Sequence, residues 1–138
     1  MSISETGGPP IKRKCASQML TTGAERHWPR MGRMQQRKGA EGERELSQIL
    51  NAYGYDTHRG GSQTYGTVPD LTGLKGVHVE VKRCEQLNLH AAVKQSEDDA
   101  ARFTDGLPAV FHRKNRTQWL VTMPLAAWLE LYERGMNQ

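Results

Sequence analysis

Apolar residues recur at Leu46, Ile49, Leu50 and Tyr53, the i, i+3, i+4, i+7 spacing of an amphipathic helix, and Gly54 follows as a C-terminal stop. The helix is expected to open near Lys38, with Glu41, Glu43 and Glu45 in a first turn that suits its dipole. A short strand over 55–59 and a Gly/Ser loop, Gly60 to Gly66, come next. The period then changes to two. Val77, Val79 and Val81 alternate with His78, Glu80, Lys82 and Cys84, so a strand over 77–84 is expected. With a strand over 67–72 and a glycine-bounded turn over 73–76, it forms a hairpin. Leu89, Ala92, Val93, Ala100 and Phe103 return to helical spacing, and Asn88 is placed to cap them. The opposite face of that helix, Lys94, Gln95, Glu97, Asp98, Asp99 and Arg102, reads as solvated, with Gln95 or Lys94 contacting substrate as the alternative.

Gly106-Leu107-Pro108 reads as a break, and strands over 109–112 and 118–122 form a second hairpin around Lys114-Asn115-Arg116. Pro124 opens a terminal helix over 125–134. Its stripe of Leu125, Trp128, Leu129 and Tyr132 is expected to pack mostly on the core, with a dimer contact as the alternative. The order is helix, three strands, helix, two strands, helix: a small α/β domain with a mixed β-sheet flanked by helices.

Composition adds a boundary. At 138 residues and 36% apolar content, the chain suits one compact domain. The net charge of +4 is uneven: residues 1–38 hold eight Lys/Arg against two acids, and the remainder is slightly acidic. The expectation is a basic, disordered arm over 1–37 ahead of a folded domain over 38–138, the arm being either a polyanion-binding footprint or a leader. There is no apolar run of membrane-spanning length and no signal-peptide core near Met1, so a soluble, cytoplasmic protein is expected. Cys15 and Cys84 suggest neither a disulfide framework nor a zinc site.

The candidate chemistry gathers on the first hairpin. Glu80 and Lys82 share a face of one strand, and Asp70 on its neighbour comes within reach in ordinary register. Carboxylates of this kind suit a hard divalent cation, and a lysine beside it can orient water and offset phosphate charge. Glu43 borders the buried stripe of the first helix and can reach the same spot. Arg59 and Ser62, with loop amides, can meet a phosphate. The plainer reading is an ordinary Glu/Lys pair on a surface strand.

Taken in order, Lys38-Gly39-Ala40, Glu43-Arg44-Glu45-Leu46, Arg59 before Ser62, Pro69-Asp70-Leu71 and Glu80-Val81-Lys82 resemble the archaeal-type Holliday junction resolvases. These belong to the PD-(D/E)XK, restriction-endonuclease-like superfamily. The resemblance covers roughly 38–123. It implies a DNA endonuclease using Mg2+, with Mn2+ as a substitute, acting as a homodimer on branched DNA in recombination and repair, with no small-molecule cofactor. It implies that Asp70, Glu80 and Glu43 hold the metal, that Lys82 is the catalytic lysine, and that Arg44, Arg59, Ser62 and Lys38 hold DNA. The chain departs from the family in a longer loop before Asp70, with Tyr65 and Gly66 inserted, and in its basic leader. The rival function is a non-catalytic DNA-binding protein that keeps the fold.

Overall fold

The computed structural model describes residues 30–60 and 68–138. The elements are α1 (Arg30–Ala52), β1 (His58–Arg59), β2 (Leu71–Thr72), β3 (Gly76–Arg83), α2 (Leu89–Phe103), β4 (Gly106–Arg113), β5 (Leu120–Thr122) and α3 (Leu125–Met136). Five strands form one mixed sheet in the order β1-β2-β3-β4-β5. Only β3 and β4 are parallel, with α2 as the crossover between them; the other neighbours are antiparallel. This is the restriction-endonuclease-like α/β architecture expected, with the elements in the expected order.

α1 begins at Arg30, eight residues before Lys38, so residues 30–37 belong to this helix, and the rest of the arm, 1–29, lies outside the described residues. Glycines at 39 and 42 lower helix propensity locally, but packing against the sheet outweighs a cost of about 1 kcal/mol each. Glu41, Glu43 and Glu45 are therefore mid-helix, and the first-turn dipole argument for them fails. Each instead faces an arginine from elsewhere in the fold: Arg83 at 3.8 Å, Arg59 at 3.1 Å and Arg113 at 2.9 Å respectively.

The helix ends where expected. Gly54 takes φ +103°, its N–H donates to the Asn51 carbonyl, and the Tyr55 N–H donates to Leu50. This double bond from two successive amides satisfies the orphan carbonyls of the last turn. The buried side of α1 is narrower than the periodicity implies. Leu46 is buried and Leu50 partly so, but Ile49 and Tyr53 are exposed. Gly42 and Ser47 take their place: a Cβ at Gly42 would stand 2.9 Å from Arg83 Cβ. Ser47 belongs to a buried polar latch. Its hydroxyl lies 2.9 Å from Thr57 Oγ1, and Asn51 both accepts from Thr57 N–H and donates to its carbonyl. The latch fixes the entry to β1 against the helix, and β1 itself is only two residues long.

One core face unites Leu46, Leu71, Val79, Val81, Ala109 and Phe111. By alternation, His78, Glu80, Lys82 and Val110 face the other side, where α2 lies with Ala92, Ser96 and Ala100 buried. The plain reading of a solvent-facing Glu/Lys strand is thus excluded. Gly106-Leu107-Pro108 is not a break; it opens β4, paired with Gly76-Val77-His78 of β3. Gly106 adopts φ +143° so closely against β3 that a Cβ would lie 2.4 Å from the Gly76 carbonyl carbon. Pro108 falls outside the stretch of β4 paired with β5, where a missing N–H is tolerated.

Two further expectations change. The stripe on α3 does not enter the core: only Ala127 is buried, whereas Leu125, Trp128, Leu129 and Tyr132 are all exposed. Cys84, just past β3, is disulfide-bonded, contrary to the reading that neither cysteine pairs. The other cysteine, Cys15, lies outside the described residues. Sequence separation carries no information about the Cα distance on which a disulfide depends.

Candidate active site

The β2–β3 register builds the site. Leu71 pairs with Val79, so one residue further Asp70 stands opposite Glu80. Asp70 Oδ2 accepts from the Val81 N–H at 2.9 Å, which fixes the carboxylate over β3. Lys82, two residues beyond Glu80 on the same face, sets its Nζ 3.1 Å from Glu80 Oε2. Both side chains are sealed, at 3% exposure for Glu80 and 0% for Lys82. Gln95 of α2 closes the pair, donating to Glu80 Oε2 at 3.1 Å and accepting from Lys82 Nζ at 2.9 Å. Glu43, at 20% exposure, comes from α1, and Arg59 donates to its Oε2 from Nε and Nη2.

The electrostatics separate the three carboxylates. Burial, reinforced by the negative charges of Glu80 and Glu43, pushes Asp70 well above the usual carboxylate range. Burial also raises Glu43, and Arg59 only partly offsets it. Glu80 is the exception. Burial alone would raise it, but Lys82 and His78 outweigh that and hold it below its ordinary value. The donor set is therefore three oxygen-bearing side chains, two of them, Asp70 and Glu43, held partly against ionisation by burial and by the charge of Glu80. A divalent cation would relieve that repulsion, so the chemistry of the donor set suits one.

Of the other anticipated residues, Arg44 is exposed on α1 and its charge favours ionised Glu43. Lys38 is half-buried on the same helix. Arg59 is on β1 with its guanidinium committed to Glu43. Ser62 lies outside the described residues. A model of the archaeal Holliday junction resolvase (hjc) family matches residues 34–136, three quarters of the chain.

The chain belongs to the archaeal Holliday junction resolvase family. That family is one of resolvase-like nucleases of the PD-(D/E)XK type, and DNA is the substrate it implies. No curated protein and no solved structure is matched. No helix among the described residues is long and apolar enough to cross a membrane.

In this resolvase-family chain, sequence reasoning passed over part of the site. Of the two polar candidates on α2, Lys94 is exposed, whereas Gln95 lies three residues after buried Ala92 and one before buried Ser96, and so turns to the sheet. Asp99 follows it by one turn. His78, 1% exposed, precedes Glu80 by two and so shares its face. Its Nδ1 lies 2.9 Å from both oxygens of Asp105, and its ring stacks on Phe103 at 6.1 Å. Burial disfavours charging the imidazole, but Glu80 and Asp105 on either side outweigh it and push His78 up. Period-two alternation marked His78; only the fold could supply Asp99 and Asp105.

Proposed function

We propose that this protein is a divalent-metal-dependent endonuclease that hydrolyses phosphodiester bonds in branched DNA, four-way junctions above all. The observation that carries the reading is the pairing of Asp70 against Glu80, with the Lys82 amine 3.1 Å from the latter and Glu43 near enough for its charge to act on Asp70. Asp70 and Glu80 are the residues to hold the metal, with Glu43 completing the acidic set. Mg2+ is the natural occupant and Mn2+ a substitute. A cation bound there supplies Lewis-acid polarisation of the phosphate and acidifies water in its shell.

The chain's own groups do the rest. The Lys82 ammonium offsets charge that builds on the phosphoryl oxygens, and its fixed position between Gln95 and Glu80 removes any reorganisation cost. Arg59 holds Glu43 in a two-pronged grip and so keeps the third carboxylate aimed inward. Arg44 and Lys38 on α1, with Ser62 from the loop outside the described residues, are the residues to hold the DNA backbone. The exposed apolar side of α3 supports a homodimer.

The test uses purified protein with Mg2+ on labelled four-way junction, flap, nicked and linear duplex DNA. Cleavage of branched substrates is expected, with Asp70→Asn abolishing it while binding in Ca2+ is retained. Parent-like cutting by Asp70→Asn would overturn the assignment. Binding without cutting in either Mg2+ or Mn2+ would leave a DNA-binding protein that keeps the fold.

A further inference from the structure

On the α2 side of Glu80 lies a second group of ligand-type atoms. One atom each from His78, Glu80 and Asp99 falls within 4.8 Å of the others, and no other trio of His, Cys, Asp or Glu among the described residues is so tight. The Glu43, Asp70 and Glu80 set does not meet that spacing. Acidic clusters are common, but two features distinguish this one. His78 Nε2 is buried and has no hydrogen-bond partner among the described residues. It points at Glu80, 3.7 Å from Oε1, too long for a hydrogen bond. Two donors on a tetrahedral cation at ~2.1 Å stand about 3.4 Å apart, so the pair is already near the span of a shared ion. On its far side, Nδ1 meets the Asp105 carboxylate, which can only accept; Nδ1 therefore carries a proton and the ring is oriented with Nε2 inward. A carboxylate behind a histidine is the usual support of a metal-ligating imidazole.

We propose that His78 Nε2, Glu80 and Asp99 form a cation site of their own, selective for an ion that accepts imidazole, such as Mn2+, Zn2+ or Co2+, over Mg2+. One nitrogen and two carboxylates suit such first-row ions, whereas Mg2+ favours oxygen alone. Asp99 reaches the site from α2, with Arg102 3.4 Å away on its solvent side and the Gln95 side chain as a further hydrogen-bond partner. The site goes beyond the nuclease reading, with which it shares Glu80 but neither Asp70 nor Glu43.

The full chain is loaded with Mn2+ without DNA and read by pulsed electron paramagnetic resonance for imidazole nitrogen coupling. Wild-type protein and Asp70→Asn are both expected to show it, and His78→Gln to lose it. Asp99→Asn, at a partly exposed position where folding is secure, is expected to weaken Mn2+ binding at least tenfold. Absence of nitrogen coupling in wild type, its survival in His78→Gln, or unchanged affinity in Asp99→Asn would each overturn the proposal. His78 would then be a cation bridging Glu80 and Asp105. Because Asp70→Asn keeps this signal while removing cleavage, failure here and failure of the nuclease reading are told apart.

Discussion

Asp70 and Glu80 face one another, yet folding treats them oppositely. Glu80 is held below its ordinary value, so its ionised form stabilises the fold above the unfolded pKa, and that contribution is lost as pH falls through the folded value. Asp70 is raised, so it costs stability once pH climbs from the unfolded pKa toward and past the folded one. In metal-free protein at pH 8, Asp70→Asn should therefore raise the melting temperature by about 3–8 °C, the size of a ~1 kcal/mol gain in a domain this large. Glu80→Gln should lower it. Near pH 4, around the ordinary carboxylate pKa, the gain from Asp70→Asn should shrink. Thermal melts by circular dichroism at the two pH values check both signs. Here the sequence was informative: alternation put Glu80 and Lys82 on one face, and the two glycines marked the turn that brings Asp70 across. It said nothing of how deeply they are buried, because a period-two pattern with polar residues on one face looks the same whether water or a helix covers that face.

The elements show where the pattern misled. Polar composition hid the first two turns of α1, where the described side chains, Met34 and Arg37, are exposed and no apolar stripe marks a helix. The polar latch of Ser47, Asn51 and Thr57 was invisible because it joins residues whose partners only the fold selects. Gly106-Leu107-Pro108 looked like punctuation, yet the glycine serves close approach to β3 and the proline lies where the ladder has one side open. Gly106→Ala should cost about 2–4 kcal/mol, since it adds both a positive-φ penalty and a steric clash with backbone that cannot move aside. Urea unfolding measures it. An equivalent change at Gly39, where an added Cβ meets nothing within 4 Å, should be neutral or stabilising.

For the whole molecule, the surface left uncovered is informative. Leu125, Trp128, Leu129 and Tyr132 on α3, with Leu120 and Val121 of β5, expose large apolar side chains, and Trp128 stacks on Tyr132 at 5.2 Å. Such a surface suits a partner of the same kind. Wild-type protein should elute as a dimer by light scattering, and Trp128→Asp should shift it to monomer with secondary structure unchanged; a wild-type monomer at high micromolar concentration would rule the contact out. Periodicity revealed this stripe without revealing which side of it faces in.

The lid that Gln95 and the rest of α2 form over Glu80 and Lys82 also dictates a direction of approach. The outward side of that helix carries Glu97 and Asp98 beside Lys94, which pairs with Asp98 at 2.6 Å, and the amine beneath it is fully buried. Among the described residues, the rim held by Asp70 and Glu43 is the side open to a sugar-phosphate chain, and Arg44, the residue after Glu43, stands in solvent beside it. On the proposed nuclease reading the protein is thus one-sided toward DNA, and two copies joined through their C-terminal helices would each present a single mouth to the arms of a junction.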